Sequence, residues 1–243
     1  MMHRGKTSKS FVSFWESITN KEVARGRAHY VLKPVNEYHK QAKKILEIGC
    51  GIGEVLINLP ERYTIYGLDI EGDCIEFCRK KIPKGKFFIS SMHNFRIDEK
   101  FDVIFSVYAI NFLRDFAQWK STFKEVDEHL NRDGLFIFDA YTPKILRDTL
   151  QCSEKYNMST SSVREFQKGY YYEKEIVKGD TRILDSGIFE RLPDGLYQLN
   201  KYRRKERIYP VAKMKSALSE HFDILETNLR EEGRKILFVC RKK

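Results

Sequence analysis

The segment KILEIGCGIGEVLINLPERYTIYGLD, residues 44–69, decides the fold of this chain. Its apolar run at residues 45–48 is short and branched, which predicts a buried parallel strand. The glycines of residues 49–53 permit a tight turn and the close approach of a ligand to bare backbone. Residues 54–59 are predicted to form a helix whose first amides face that ligand. Residues 64–68 predict a second strand.

An acid follows this second strand. Asp69 lies twenty residues after Gly49, where a carboxylate could accept both hydroxyls of a ribose. The glycines are spaced G-x-G-x-G, whereas a pyrophosphate-binding loop is typically G-x-G-x-x-G. Glu47 stands two residues before the first glycine; it would repel a pyrophosphate but suits a ligand with an amino group and a sulfonium. The segment therefore predicts half of a nucleoside-binding α/β fold.

The order Glu47-x-Gly49-x-Gly51-x-Gly53 resembles the first motif of the class I S-adenosylmethionine-dependent methyltransferases. Asp69 falls where that family holds the ribose. The resemblance implies a methyltransferase whose cofactor is S-adenosyl-L-methionine. It assigns the cofactor contacts to ten residues: Glu47, Gly49, Cys50, Gly51, Gly53, Asp69, Ile70, Ser91, Met92 and Tyr108.

Further segments match the same family in order. Phe101–Ser106 resembles its fourth strand, and Tyr108 to Asn111 follow at the carboxyl end of that strand. Apolar residues at helical spacing predict a helix over residues 116–130, and the turn Asn131-Arg132-Asp133-Gly134 leads into a strand at Leu135–Phe138. A hairpin is predicted from residues 222–240, which is how this family closes its sheet.

These matches predict an α/β fold with a Rossmann-like, doubly wound, mainly parallel seven-stranded sheet. The sheet should end in an antiparallel hairpin, and a small antiparallel β insertion should act as a lid. We expect a single methyltransferase domain over residues 1–243. Its parts are an N-terminal helical cap (1–40), a cofactor-binding core (41–148), the inserted lid (149–209), and a core helix with the closing hairpin (210–243).

One departure from the family pattern concerns the adenine. Many relatives place an Asp after the third strand, Lys86–Ile89, but here the pair is Ser91-Met92. A serine hydroxyl accepts a hydrogen bond more weakly than a carboxylate does. Met92 either clasps the adenine face or belongs to ordinary packing.

The N-terminal segment carries an aromatic cluster before a helix predicted through residues 23–35. In many small-molecule methyltransferases such a segment closes the cofactor pocket; the alternative is packing on the sheet edge. Arg25 and Arg27 either bind the methionine carboxylate of the cofactor or lie on a solvated helix face. The cluster consists of Phe11, Phe14 and Trp15.

The insertion at residues 149–209 predicts a three-stranded antiparallel meander, with strands that start near Tyr170, Arg182 and Tyr197. Its layout resembles that of the sugar-amine and glycine N-methyltransferases, in which such a sheet covers the substrate. The tyrosines and alternating charges suit a small polar substrate. A structural flap or a dimer contact is the alternative.

Three residues at strand ends, Tyr108, Asn111 and Tyr141, are predicted to position the methyl acceptor. The Tyr108 ring could also favour the cationic cofactor. An amine acceptor needs only to be unprotonated, whereas a hydroxyl requires a base, for which His93, Tyr141 and Asp139 are candidates. The sequence leaves N- and O-methylation open. It contains no metal-coordination spacing, and we expect no metal.

The formal charge of +10 makes RNA the second candidate substrate. Lys201 to Arg207 carry five cations, but strand alternation divides them between two faces. The position of the base-methylating N-P-P-Y loop reads Tyr108 to Asn111, so we expect a small-molecule acceptor. A non-catalytic S-adenosylmethionine-binding protein is a third possibility. Cysteines without C-x-x-C spacing and the lack of an apolar span predict a cytoplasmic protein with no membrane contact. We expect a monomer or a homodimer.

Overall fold

The computed structural model describes residues 12, 15, 16, 20–156, 161–166 and 169–243. Phe11 and Phe14 lie outside this part of the chain. The helices are α1 (Lys21–Tyr38), α2 (Gly72–Lys81), α3 (Phe116–His129), α4 (Pro143–Tyr156) and α5 (Val211–Leu218). The strands are β1 (Lys44–Ile48), β2 (Thr64–Asp69), β3 (Lys86–Ile89), β4 (Phe101–Ser106), β5 (Leu130–Tyr141), β6 (Ser161–Phe166), β7 (Gly169–Lys178), β8 (Thr181–Arg191), β9 (Tyr197–Arg207), β10 (Phe222–Arg230) and β11 (Lys235–Lys242).

The main sheet has the strand order β10–β11–β5–β4–β1–β2–β3. Strands β1 to β5 are parallel, and the hairpin β10–β11 is antiparallel, as predicted. Residues of β1 alternate between two apolar layers, with Ile45 in one layer and Leu46 and Ile48 in the other. All three are fully buried, which explains the continuous apolar run in the sequence. The predicted Rossmann-like fold is confirmed.

The predicted helix over residues 54–59 is wrong. The glycine loop leads only into a single 3₁₀ turn, Leu56–Asn58. Leu59 is extended because it precedes Pro60, and a residue before proline disfavours the helical region. The loop therefore presents its amides to a ligand without the dipole of a full α-helix behind them.

The fifth strand is longer than the sequence predicted. Leu130 lies opposite Phe101 and Leu135 lies opposite Val103, so residues 131–134 loop out opposite Asp102 alone. The predicted turn is thus a bulge inside β5. Asp102 holds it in place: its Oδ1 accepts a bond of 2.8 Å from Asn131, and its Oδ2 accepts bonds from the amides of Lys43 and Lys44.

The insertion forms a separate antiparallel sheet with the order β6–β7–β8–β9. Strands β7, β8 and β9 are the three predicted strands. Strand β6 was not predicted, because five of its six residues are exposed and give no apolar alternation. Residues 149–156, which the sequence assigned to the insertion, continue helix α4 instead.

Helix α1 packs on the face of the sheet that carries Ile45, and its Arg27 binds Glu54 beside the glycine loop. Ala28, Val31 and Val35 are buried against the core, whereas Val23 is exposed. The side chain of Asn20 caps the first turn by accepting a bond of 2.8 Å from the amide of Glu22. No helix among the described residues is long and apolar enough to cross a membrane.

Replacing Asp102 by alanine should lower the free energy of unfolding by about 2 kcal/mol, because three donors lose a charged acceptor. Burial opposes ionisation, but the amides of Lys44 and Lys43 and the side chain of Asn131 hold the pKa of Asp102 below its usual value. The contribution is present above the pKa of the unfolded chain, about 3.9, and is lost as the pH falls through the folded-state pKa.

Chemical denaturation at about pH 7 and about pH 3 measures this contribution. The matched control is Asp98→Ala, which removes an exposed carboxylate from a nearby loop. Equal unfolding free energies for the wild type and Asp102→Ala at neutral pH would contradict the role given to this side chain.

Candidate functional site

The glycine loop after β1 lies at the carboxyl edge of the sheet. Gly49, Gly51 and Gly53 all adopt positive φ angles, of 75°, 51° and 75°. A Cβ on Gly49 would lie 2.6 Å from the Cβ of Ala109, so this position has no room for a side chain. A Cβ on Gly51 would meet nothing within 4 Å. Gly51 therefore lines open space in which a ligand can contact bare backbone.

Asp69 closes the loop from the end of β2. Its Oδ2 accepts a bond of 2.8 Å from the amide of Gly51, and its Oδ1 accepts one of 3.0 Å from the amide of Glu71. Burial raises the pKa of Asp69, and the two amide bonds oppose this rise. Each carboxylate oxygen keeps lone-pair capacity for a further donor, as two ribose hydroxyls require.

Glu47 is the most unusual group of the site. It is 2% exposed, and its Oε2 has no hydrogen-bond partner. Burial raises the pKa of Glu47 well above its usual value, interactions with Cys78 and with the Asp69 carboxylate add to the rise, and Arg27 opposes it. A buried carboxylate without a partner is costly. Its position beside the open face of the loop fits a ligand that brings a cationic amino group.

Two other predicted cofactor contacts, Cys50 and Ile70, differ in whether their side chains are accessible. The thiol of Cys50 packs inward, since a Cβ on Gly67 would lie 3.0 Å from its sulfur. Cys50 thus contributes only backbone to the pocket, and its own amide bonds to Leu68 O at 2.9 Å. Ile70 is 62% exposed beyond the end of β2, which leaves its side chain available to a ligand beside Asp69.

Ser91, one of the two predicted adenine residues, belongs to a series of hydrogen-bonded polar side chains. The hydroxyl of Ser91 is hydrogen-bonded to Nδ1 of His93, and Nε2 of His93 lies 3.0 Å from the side-chain nitrogen of Gln118. Met92 packs against the loop, where its Cε lies 2.8 Å from the position of a Cβ on Gly49. Met92 therefore lies at the glycine loop, and the role of Ser91 and Met92 in binding adenine stays a prediction.

Tyr108 is held in a strained backbone conformation, with a φ of 59°. Its amide donates to Oδ1 of Asp139 at 2.6 Å, and its hydroxyl donates to Oε1 of Glu231 at 2.5 Å. Burial and the bond to Glu231 raise the pKa of Tyr108. Arg27 lies 4.3 Å from the ring centroid, and Lys235 also lies over the ring. A cofactor sulfonium would share this ring only after one of these cations moved.

Lys235 is a site residue that the sequence analysis missed. It is 2% exposed, and its Nζ lies 3.3 Å from Oδ2 of Asp139 and 3.7 Å from Oε1 of Glu231. Burial lowers the pKa of Lys235, and the two carboxylates oppose the decrease. The feature that could have revealed Lys235 is the register of β11, which places it directly opposite Tyr141 at the carboxyl end of β5.

The predicted acceptor residues Asn111 and Tyr141 are adjacent. Oδ1 of Asn111 accepts a bond of 2.9 Å from the amide of Tyr141, and its Nδ2 donates one of 2.7 Å to Arg207 O. Asn111 thus joins the core to the insertion. The Tyr141 ring lies 5.3 Å from the guanidinium of Arg182 and 4.6 Å from Nζ of Lys235. Burial, then the charge of Glu206, raises the pKa of Tyr141.

The insertion turns a charged face toward this edge. Arg182 binds Glu175 through two bonds, of 2.9 and 2.6 Å, and Glu206 through one of 2.8 Å. Arg182 and Glu206 are both buried. Arg204 binds Glu173 at 2.9 Å. Sequence alternation alone could not select these residues, because it does not say which face of the sheet meets the core.

Arg27 lies at the site and Arg25 does not. The guanidinium of Arg27 donates to Glu54 at 2.8 Å beside the glycine loop, whereas Arg25 is exposed. Among the residues that the structure describes, no group of three His, Cys, Asp or Glu side chains is placed to hold a metal ion.

Glu47→Gln should stabilise the cofactor-free protein and weaken binding of S-adenosylmethionine. The raised pKa means that ionisation of Glu47 opposes folding as the pH rises above that of the unfolded carboxyl, about 4.3. Glutamine removes this cost. It also removes the charge that faces the cofactor amine, which should weaken affinity roughly tenfold or more.

Thermal unfolding near pH 7.5, with and without cofactor, measures both effects. Near pH 4.5 the stabilisation should shrink, because Glu47 is then protonated in the wild type as well. A lower melting temperature for cofactor-free Glu47→Gln at pH 7.5 would contradict the unpaired state of this carboxylate.

Gly51→Val should abolish calorimetrically detectable binding of S-adenosylmethionine, because the side chain fills the open face of the loop. The matched control is Gly179→Val in the β7–β8 turn, where φ is 60° and a Cβ also meets nothing within 4 Å. Both variants carry the same backbone strain, of order 1 kcal/mol or more. Equal cofactor affinities in the two variants would show that Gly51 does not face the cofactor.

Comparison with known proteins places this geometry in a family. Residues 45–134 match a family model described as "Methyltransferase domain". A Geobacillus sp. (strain WCH70) protein, named provisionally as a methyltransferase, is 24% identical over 97% of this chain and 100% of its own length.

Two solved structures share the fold at low sequence identity. The sugar N-methyltransferase KedS8 from Streptoalloteichus sp. ATCC 53650 has a TM-score of 0.81, 17% identity, and coverage of 100% of this chain and 99% of its own. An S-adenosylmethionine-dependent methyltransferase from Clostridium acetobutylicum ATCC 824 has a TM-score of 0.80, 17% identity, and coverage of 96% and 98%. The matched domain, the full-length relative and the shared folds together support a class I S-adenosylmethionine-dependent methyltransferase that uses S-adenosylmethionine as its cofactor.

Proposed function

We propose that this methyltransferase transfers a methyl group to the amine of a small polar metabolite. The acceptor would lie between the carboxyl edge of the main sheet and the inner face of the insertion. We call this space the acceptor chamber and define it by Tyr108, Phe112, Tyr141, Arg182 and Arg204. The observation that supports it best is the pair of arginines that the insertion directs onto aromatic rings of the core.

Two contacts hold the insertion against the core at the acceptor chamber. Arg182 lies 5.3 Å from the Tyr141 ring, and Arg204 lies 5.7 Å from the Phe112 ring. Both arginines are held by carboxylates on the same sheet, so their positions are fixed before any ligand arrives. Fixed polar groups and aromatic surfaces around a cleft suit a small polar ligand.

The proposed cofactor contacts are Glu47 for the amino group, Gly49, Gly51 and Gly53 for the backbone approach, and Asp69 for the ribose. Arg27 is the candidate for the methionine carboxylate, which would compete with its present partner Glu54. When bound, S-adenosylmethionine supplies a methyl group activated by a sulfonium. The protein has to hold the acceptor nitrogen about 3 Å from that methyl group and in line with the sulfur.

The protonation chemistry of the site favours nitrogen over oxygen as the acceptor atom. Asp139 is already bound to the Tyr108 amide and to Lys235, and His93 is bound to Ser91. The raised pKa of Tyr141 keeps its hydroxyl protonated. All three candidate bases are thus committed or protonated, and an amine that arrives neutral needs none of them to attack.

The fold comparison supports the same choice. KedS8, whose fold matches over the full length of this chain, is named as a sugar N-methyltransferase. An amino sugar combines an amine with several hydroxyls. Its hydroxyls could bond to the carboxylates and arginines of the acceptor chamber, and its amine would face the methyl group.

A transfer screen tests the proposal: labelled S-adenosylmethionine is incubated with amino sugars, small amines, their hydroxyl counterparts and bulk tRNA. We expect label in an amino sugar or amine. Label only in a hydroxyl compound or only in tRNA would overturn the proposal. Cofactor binding without transfer to any acceptor would favour a binding protein.

Tyr141→Phe then tests the acceptor chamber. We expect kcat/KM for the acceptor to fall roughly tenfold, which corresponds to the loss of one hydrogen bond, while cofactor affinity is unchanged. The control is Tyr30→Phe on α1, whose ring lies 3.9 Å from Arg230, away from the chamber. An unchanged kcat/KM in Tyr141→Phe would remove Tyr141 from the acceptor site.

A further inference from the structure

The face of the insertion that points away from the acceptor chamber is aromatic and basic. Cross-strand register places Tyr170, Phe189 and Leu199 side by side across β7, β8 and β9. These side chains are 39%, 37% and 38% exposed, and Tyr197 beside them is 47% exposed. Ring centroids of Tyr170 and Tyr197 are 6.1 Å apart. We call this surface the outer platform.

A groove runs through the outer platform. It has a volume of about 430 Å³ and is lined by Tyr170, Tyr172, Phe189, Leu199 and Lys201, together with Val163. The groove exists because Gly187 carries no side chain, and a Cβ there would come within 2.5 Å of the Tyr172 ring. The groove therefore lies between ring faces, and the sheet fixes the positions of the rings.

Cations flank the rings. Alternation along β9 sends Glu206 and Arg204 to the inner face and leaves Lys201, Arg203 and Lys205 exposed on the outer platform. Lys174 joins them from β7, with Asp185 lying between it and Arg203 in the register. Asp185 and Glu165 are the acids that the register places on this face. Alternation thus places four of the five cations of the basic run on this face; Arg207 is bound to Asp180 and Thr181, and the other three are exposed.

We infer that the outer platform binds a single-stranded nucleic acid. Exposed rings on adjacent strands of an antiparallel sheet can stack bases, and flanking cations neutralise the phosphates. A second copy of the chain fits less well, because two such faces would set lysines and arginines against one another. The platform lies on the opposite side of the sheet from Arg182 and Glu206, so the inference concerns docking and does not rest on the proposed acceptor.

Fluorescence anisotropy tests the inference on the full chain. The probes are labelled single-stranded oligouridylate RNA and oligothymidylate DNA of about 12 nucleotides, and an RNA duplex of equal length. We expect the single strands to bind more tightly than the duplex, and the affinity to fall steeply between about 50 and 200 mM KCl. Tighter binding of either single strand than of the duplex supports the inference.

Three variants assign the binding to the outer platform. Tyr170→Ala and Phe189→Ala should each weaken it roughly tenfold, as expected for the loss of one stacked base. The pair Lys201→Ala with Arg203→Ala should reduce the salt dependence. The matched control removes two exposed lysines elsewhere, Lys33→Ala with Lys124→Ala. Unchanged affinity for S-adenosylmethionine in each variant shows that the fold is intact.

Four outcomes would overturn the inference. They are no binding of single strands at low salt, equal binding of the duplex, wild-type affinity in the Tyr170 and Phe189 variants, and a loss of affinity in the lysine control as large as in the Lys201 and Arg203 pair. Light scattering supplies a further check. A dimer in the wild type that Phe189→Ala converts to a monomer would assign the outer platform to self-association instead.

Discussion

The lack of room at Gly49 is the constraint on which the site depends. A side chain there would collide with Ala109 and with Met92, so the ends of β1, β3 and β4 can converge only around a glycine. That convergence brings Ala109 and Met92 against the loop that follows Glu47. It also leaves Gly51 at the open side. The missing Cβ of Gly49 therefore lets the sheet edge close, while the loop stays open at Gly51, where we propose that the cofactor binds.

The sequence predicts those parts of the molecule that are specified locally. The strand before the loop, the glycines, Asp69 and the strand Phe101–Ser106 all follow from short-range patterns, and they are where the pattern places them. The 3₁₀ turn at residues 56–58 was missed because Pro60 outweighs the apolar pattern that precedes it. Strand β6 was missed because most of its residues are exposed, so apolar and polar residues do not alternate along it.

The rest of the candidate site depends on long-range register. Lys235 and Glu231 are nearly a hundred residues from Tyr141 and more than a hundred from Tyr108, and only the pairing of β11 with β5 brings them together. Sequence could not show that Glu47 lacks a partner, since this depends on every atom around it. Nor could it decide which face of β9 would meet the core. The roles of these side chains are set by packing, which the sequence pattern does not encode.

The uncompensated carboxylate of Glu47 has a consequence for the lifetime of the protein. Without its cofactor, the chain buries a group that would be better solvated in the unfolded state, so its folded state is less favoured than it could be. A ligand that binds only the folded state shifts this balance in proportion to its concentration. When S-adenosylmethionine is scarce, a larger fraction of molecules opens and becomes accessible to proteases. The abundance of the enzyme would then follow the supply of its methyl donor, with no dedicated regulator.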